Sequence, residues 1–234
     1  MDIEKVLMLL SGLCWSIVYI EVIRLSFKCK TYGIPLFALA LNFTWEFIYG
    51  YLGFSTDSTQ RIVNIIWCSL DFVIVIAFFK YGFQFFPKGL SKKKFIAWGI
   101  LIFAVSFIIE LLFYYQFPKE GEGFSAYLQN VAMSVLFINM LFTRPTTNGQ
   151  SMIIAFSKFI GTLAPTIVIL LSGLEEHNEL THHTICLFNK SICLPDWNWF
   201  ILVFGIFCVV FGIIYIVLLH QRKQQENGIR HFQD

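Results

Sequence analysis

Five ionisable side chains stand inside otherwise apolar stretches of this sequence: Glu21, Glu46, Asp71, Glu110 and Lys158. A charge at bilayer depth costs at least about 2.5–3.5 kcal/mol on insertion scales, so each is a candidate for function. Glu21 lies close to the end of its stretch, where a side chain can snorkel to water. Glu110 stands near the end of its own stretch, between an interfacial and a cavity position. Glu46 and Asp71 are mid-stretch, with apolar residues on both sides. Withdrawal from water disfavours the charged form of a carboxyl. A neutral acid in an apolar pocket can hand its proton to a substrate that water never reaches. The bland alternative for Glu46 and Asp71 is a hydrogen-bonded pair that only fixes packing.

The neighbours of Glu46 suit the sharper reading. Asn42 precedes it by one helical turn and can orient the acid. Trp45 and Tyr49 flank it, and the first apolar stretch carries Trp15 and Tyr19 at the same spacing. The fifth stretch adds Gln129, Asn130 and Asn139. Aromatic residues at helical spacing are more often packing or lipid anchors. Around a buried acid, their faces would also suit a cationic intermediate through cation–π attraction.

The elements that must position these residues follow from composition. Hydrophobic residues make up 57% of 234 and charged residues 14%. Soluble chains carry roughly 25% charged residues, so there is too little charge here to cover a water-facing surface. Phe alone occurs 27 times against 15 Asp plus Glu, which excludes a disordered or nucleic-acid-binding chain. Seven continuous apolar stretches are expected to be membrane helices: Val6–Ile23, Ile34–Leu52, Ile62–Phe79, Phe95–Tyr114, Phe124–Phe142, Met152–Leu174 and Trp197–Leu219. Barrel strands would alternate instead of running continuously. The fold class expected is therefore all-α: a polytopic seven-transmembrane-helix bundle over residues 1–219, with a polar tail at 220–234. The first stretch is expected to be a retained helix, not a cleaved signal peptide.

Loop charges then give an orientation. Lys5, Arg61, Lys119 and Lys190 fall on one side. Twelve basic residues fall on the other, Lys92, Lys93 and Lys94 among them. The bias puts the N-terminus outside or luminal and the C-terminus in the cytoplasm. Cys186 and Cys193 share the longest loop on the outer side, where a disulfide fits an oxidising compartment. The same loop carries Asn189-Lys190-Ser191, a glycosylation acceptor in a eukaryote. Its His177, His182 and His183 match no zinc spacing, so no metal is expected.

At the second stretch the sequence reads Thr31-Tyr32-Gly33-Ile34-Pro35, then Asn42-Phe43-Thr44-Trp45-Glu46-Phe47-Ile48-Tyr49. This resembles the integral-membrane terpene cyclases of fungal meroterpenoid and indole-diterpene pathways, the paspaline and pyripyropene type, and their bacterial relatives. Arg24 with Ser26-Phe27-Lys28, Asp71, Gly149-Gln150-Ser151 and Ser157-Lys158-Phe159-Ile160-Gly161-Thr162 fit the same family pattern, so the resemblance spans the chain. It implies a proton-initiated cyclase needing no metal or other cofactor. An acid would protonate a prenyl epoxide or alkene of a lipophilic prenylated substrate, and the cation would close rings and lose a proton. The family's acid maps onto Glu46. Lys158 would be a structural or substrate-head contact. Family members carry a second Asp in the last helix before a Gly and a Tyr. The matching stretch here, Val210-Phe211-Gly212-Ile213-Ile214-Tyr215, has no acid, so Glu46 would work with Asp71 or Glu110.

The catalytic candidates are therefore Glu46 and Asp71. The substrate-binding candidates are Asn42, Trp45, Tyr49, Trp15, Tyr19, Glu110, Asn130 and Lys158. The partners expected are a lipophilic prenylated small molecule and the bilayer of a bacterial inner membrane or endoplasmic reticulum. The competing classes are a proton-coupled seven-helix transporter and a non-catalytic membrane protein of the same fold.

Overall fold

The computed structural model describes residues 2–55, 57–118, 120–175, 184–187 and 192–231. Among these, the chain winds into α1 (Ile3–Lys28), α2 (Leu36–Glu46), α3 (Ser58–Tyr81), α4 (Lys92–Gln116), α5 (Gly121–Thr143), α6 (Met152–Glu175) and α7 (Asp196–His231). Among the described residues, six helices are long and apolar enough to cross a membrane. Their outer faces carry apolar side chains such as Trp98, Ile100, Ile108 and Leu112 on α4, each about half or more exposed. In lipid that is the stable arrangement, because helices satisfy their own backbone and present only hydrocarbon.

The exception is α2. It is short and buried along most of its length, including Ala38, Leu39, Ala40, Leu41, Asn42, Trp45 and Glu46. A helix apolar on all sides belongs inside a protein, and α2 packs against α3, α4 and α5. Directly after Glu46 the chain widens into a π-helical turn, Phe47–Tyr51. Such turns are rare and frequent at functional sites.

Local chemistry sets the helix ends. Asp57 accepts from the backbone N–H groups of Thr59 and Gln60 at the start of α3, and Ser91 accepts from that of Lys94 at the start of α4. At the end of the bundle where α4 starts, the Arg144 guanidinium lies 3.9 Å from the Tyr32 ring and 4.4 Å from the Phe85 ring. It donates to the Tyr32 carbonyl at 2.7 Å. Arg222, past the expected end of the last span, donates to the carbonyls of Leu141 and Arg144, and Glu226 accepts from Thr147. The helix therefore continues into the tail. Gly149 turns with φ +86°, and a side chain at Gly33 would meet its carbonyl at 2.9 Å. The Thr31-Tyr32-Gly33 motif thus holds two loops together; it is scaffold.

A two-stranded hairpin, β1 (Thr184–Leu187) with β2 (Ile192–Pro195), joins α6 to α7. Its antiparallel register places Cys186 opposite Cys193. The loop histidines and Asn189 lie outside the described residues.

Candidate active site

On α1, Ser11, Trp15 and Tyr19 recur every four residues and are all buried, so they share a face. That face meets α6, where Ser11 donates to the Gly161 carbonyl at 2.6 Å. A Cβ at Gly161 would stand 3.0 Å from the Trp15 ring, so the glycine admits the indole. On the other side Tyr19 reaches α2 and donates its hydroxyl hydrogen to Glu46 Oε1. The Asn42 amide nitrogen stands 2.9 Å from Glu46 Oε1, 2.9 Å from Asp71 Oδ2 and 2.6 Å from the Tyr19 hydroxyl. Two N–H hydrogens serve three acceptors, so the amide is fully engaged. Glu46 is 1% exposed and Asp71 0%. Glu46 Oε2 and Asp71 Oδ1 have no hydrogen-bond partner.

A cavity of about 400 Å³ lies against this cluster, a size typical of small-molecule sites. Its buried part is bounded by Tyr19, Asn42 and Glu46, with Trp15, Trp45, Tyr127 and the half-buried Trp67 as aromatic wall. Its half-buried part is bounded by Gln60, Glu120 and Glu122, at the first turns of α3 and α5. The two parts are linked, since the Trp45 indole N–H donates to the Glu122 carbonyl at 3.1 Å.

Of the residues expected at a site, Glu46, Asn42, Trp45, Trp15, Tyr19 and Asn130 all line this cavity. Asp71 stands behind Asn42 and does not. Tyr49 forms a layer behind, its ring 5.2 Å from Trp45 and 6.4 Å from Tyr114. Glu110 is buried but outside the cavity wall. Glu21 is paired with Arg24 at 2.6 Å near the end of α1. Lys158 also lies elsewhere, donating to Ser134 Oγ at 2.6 Å beside Phe211, Gly212 and Tyr215. The position of the missing last-helix acid therefore faces Lys158, not the cavity.

Trp67, Gln60, Glu122 and Tyr127 also line the cavity and were not singled out in the sequence; Thr162, which closes the Ser157–Thr162 motif, lines it too. For α3 the signal existed. Gln60, Asn64, Trp67 and Asp71 are spaced by four, three and four, one helical face, and only its last member was read.

The fold and site define a multi-pass membrane protein with an internal, acid-bearing cavity walled by aromatic rings. The family of Pyr4-like transmembrane terpene cyclases matches residues 1–225, so the chain belongs to it. It is 27% identical over 177 residues to the Pyr4-family terpene cyclase mfmH of Annulohypoxylon moriforme, covering 73% of this chain and 71% of that one. It is 24% identical over 226 residues to the terpene cyclase pyr4 of Aspergillus fumigatus, covering 94% and 87%. It is 28% identical over 168 residues to the terpene cyclase ascF of Acremonium egyptiacum, covering 65% and 61%. No solved structure matches it. The chain is a membrane terpene cyclase.

Proposed function

We propose that Glu46 is the acid that starts cyclisation of a prenyl chain held in the cavity, and that Tyr19, Asn42 and Asp71 position it. Oε1 already accepts from the Tyr19 hydroxyl and the Asn42 amide. In a neutral Glu46 the proton therefore sits on Oε2, the oxygen without a partner, which carries this reading. When that proton leaves for an alkene carbon, a C–H bond forms and a tertiary cation remains. With a terminal epoxide the proton goes to oxygen and a C–O bond opens instead. The donors on Oε1 then stabilise the carboxylate left behind, without reorganising. Alkene electrons close the rings, and a final C–H bond gives its proton back, so a cyclised product keeps every atom of the substrate. Trp15, Trp45, Trp67 and Tyr127 offer their faces to the migrating cation.

The buried helix Leu36–Tyr51 serves as a seventh, interior span, and the loop charges set the N-terminus outside or luminal. The cavity then opens toward that side, because its half-buried residues lie at the first turns of α3 and α5. The membrane is a bacterial inner membrane or the endoplasmic reticulum, and the substrate is a lipophilic prenylated molecule.

The test is to incubate membranes with prenylated phenols, quinones and indoles, with and without a terminal epoxide. Products of unchanged mass and altered retention are expected from the wild type. A Glu46→Gln enzyme that cyclises as fast would sink the proposal.

A further inference from the structure

Apart from the acid oxygen Glu46 Oε2, the buried side-chain atoms left unpaired on the cavity wall are acceptors. The Asn130 amide nitrogen donates to the Ala126 carbonyl at 3.1 Å, which fixes its Oδ1 as an acceptor, and that oxygen has no partner. Gln129, 4% exposed, also lines the cavity with its Oε1 unpartnered. A buried acceptor left without a donor is costly, so each such atom marks a place for a ligand hydrogen. On the same helical face, at the half-buried end, stands Glu122, whose carboxylate takes a long 3.5 Å contact from Asn64 and a hydrogen bond from Ser55. The ionisable residues of the wall are acids and tyrosines, Glu46, Glu120 and Glu122 among them, and no Lys, Arg or His bounds the cavity among the described residues. An anionic group entering there meets like charge and finds no cation to pair with.

We infer that the α5 face formed by Glu122, Gln129 and Asn130 is the head-group subsite. It accepts hydrogen bonds from an O–H or N–H on a neutral head and rejects carboxylates and diphosphates. This rests on the cyclase reading, since it is the prenyl chain that must reach Glu46 while the head stays on α5. Binding the donor to Asn130 Oδ1 fixes which way round the substrate lies and so which end of the chain meets the acid.

The experiment uses the full-length protein in detergent and three probes sharing one saturated fifteen-carbon chain: a phenol, its methyl ether and a benzoic acid. Quenching of tryptophan fluorescence reads binding, because Trp15, Trp45 and Trp67 form the wall. The wild type is expected to bind the phenol about tenfold tighter than the ether, the worth of one well-made hydrogen bond. Asn130→Leu brings the two within about threefold, whereas Asn130→Asp, which keeps the acceptor, preserves the preference. Glu122→Gln, by removing a charge at the mouth, strengthens binding of the acid probe. Equal binding of phenol and ether by the wild type overturns the inference. So does a preference that survives Asn130→Leu combined with Gln129→Leu. An enzyme that cyclises prenyl chains while ignoring the phenol overturns this subsite alone. One that prefers the phenol yet cyclises nothing supports the subsite and sinks the cyclase mechanism alone.

Discussion

Glu46 and Lys158 meet the same test in the sequence, an ionisable side chain in the middle of an apolar stretch, and the bundle treats them differently. Both are buried, at 1% and 5% exposure. Around Glu46 three polar side chains, Tyr19, Asn42 and Asp71, converge from three helices beside a cavity of about 400 Å³. Among the described residues the Lys158 ammonium makes one hydrogen bond, to Ser134, beside a gap of about 10 Å³ enclosed by Phe137, Phe159, Phe211 and Tyr215. That gap has room for about one water. Depth makes a charge expensive in both places; only the open space beside Glu46 lets the expense do chemistry. Lys158 instead joins α6 to α5 near α7.

The comparison breaks most directly at the acid. Glu46→Gln keeps the shape and loses the transferable proton. Turnover should fall by about 10²–10⁴, the usual worth of a general acid, in a protein that still purifies as a folded species. Next comes Asn42→Leu, which parts Asp71 from Glu46 and leaves the Tyr19 hydroxyl as the remaining donor on Oε1. A displacement of about 1 Å at a reacting group costs about 10²-fold, and single-turnover measurements should show that loss in the chemical step, with substrate binding retained. Asp71→Asn preserves an acceptor for Asn42, so its effect should be about tenfold and smaller than that of Asn42→Leu. The reverse order would mean that Asp71 touches the substrate itself.

Lys158→Met sharpens the contrast from the other side. Removing a mid-membrane cation spares an insertion cost of about 2.5–3.5 kcal/mol. The variant should melt no lower than the wild type and cyclise within about threefold of its rate. Loss of turnover there, with the fold intact, would return Lys158 to the site. The smallest effect on activity belongs to the hairpin. Cys186 and Cys193 face each other in its register, and a disulfide between them should show as alkylation only after reduction. Closing so short a loop is worth about 2–3 kcal/mol, while turnover should change less than twofold.

Much of this could be read from the residues alone. For α1, α3, α4, α5 and α6 the helices observed enclose the apolar stretches with only a few residues added at their ends, whereas the second stretch holds a shorter helix and its π-turn and α7 runs on to His231. The Asn42–Trp45–Glu46 face lies at the heart of the site. Trp67 and Gln60 were legible as members of the Asp71 face and passed over, because periodicity says which residues share a face and nothing about what that face meets. The burial of α2 was hidden for a related reason. An apolar helix looks the same in sequence whether lipid or other helices surround it, and the π-helical turn after Glu46 has no signature in residue type.

The sequence by itself determined that the chain dissolves in lipid as helices, because so few charges cannot cover a wet surface and an unpaired backbone cannot stand in hydrocarbon. It also determined which acids are costly enough to need a reason. Only the tertiary structure decided which of them works. A cavity belongs to no segment; it is the space left where α1, α2, α3, α5 and α6 fail to close on one another, and that depends on side chains far apart in the chain meeting at once.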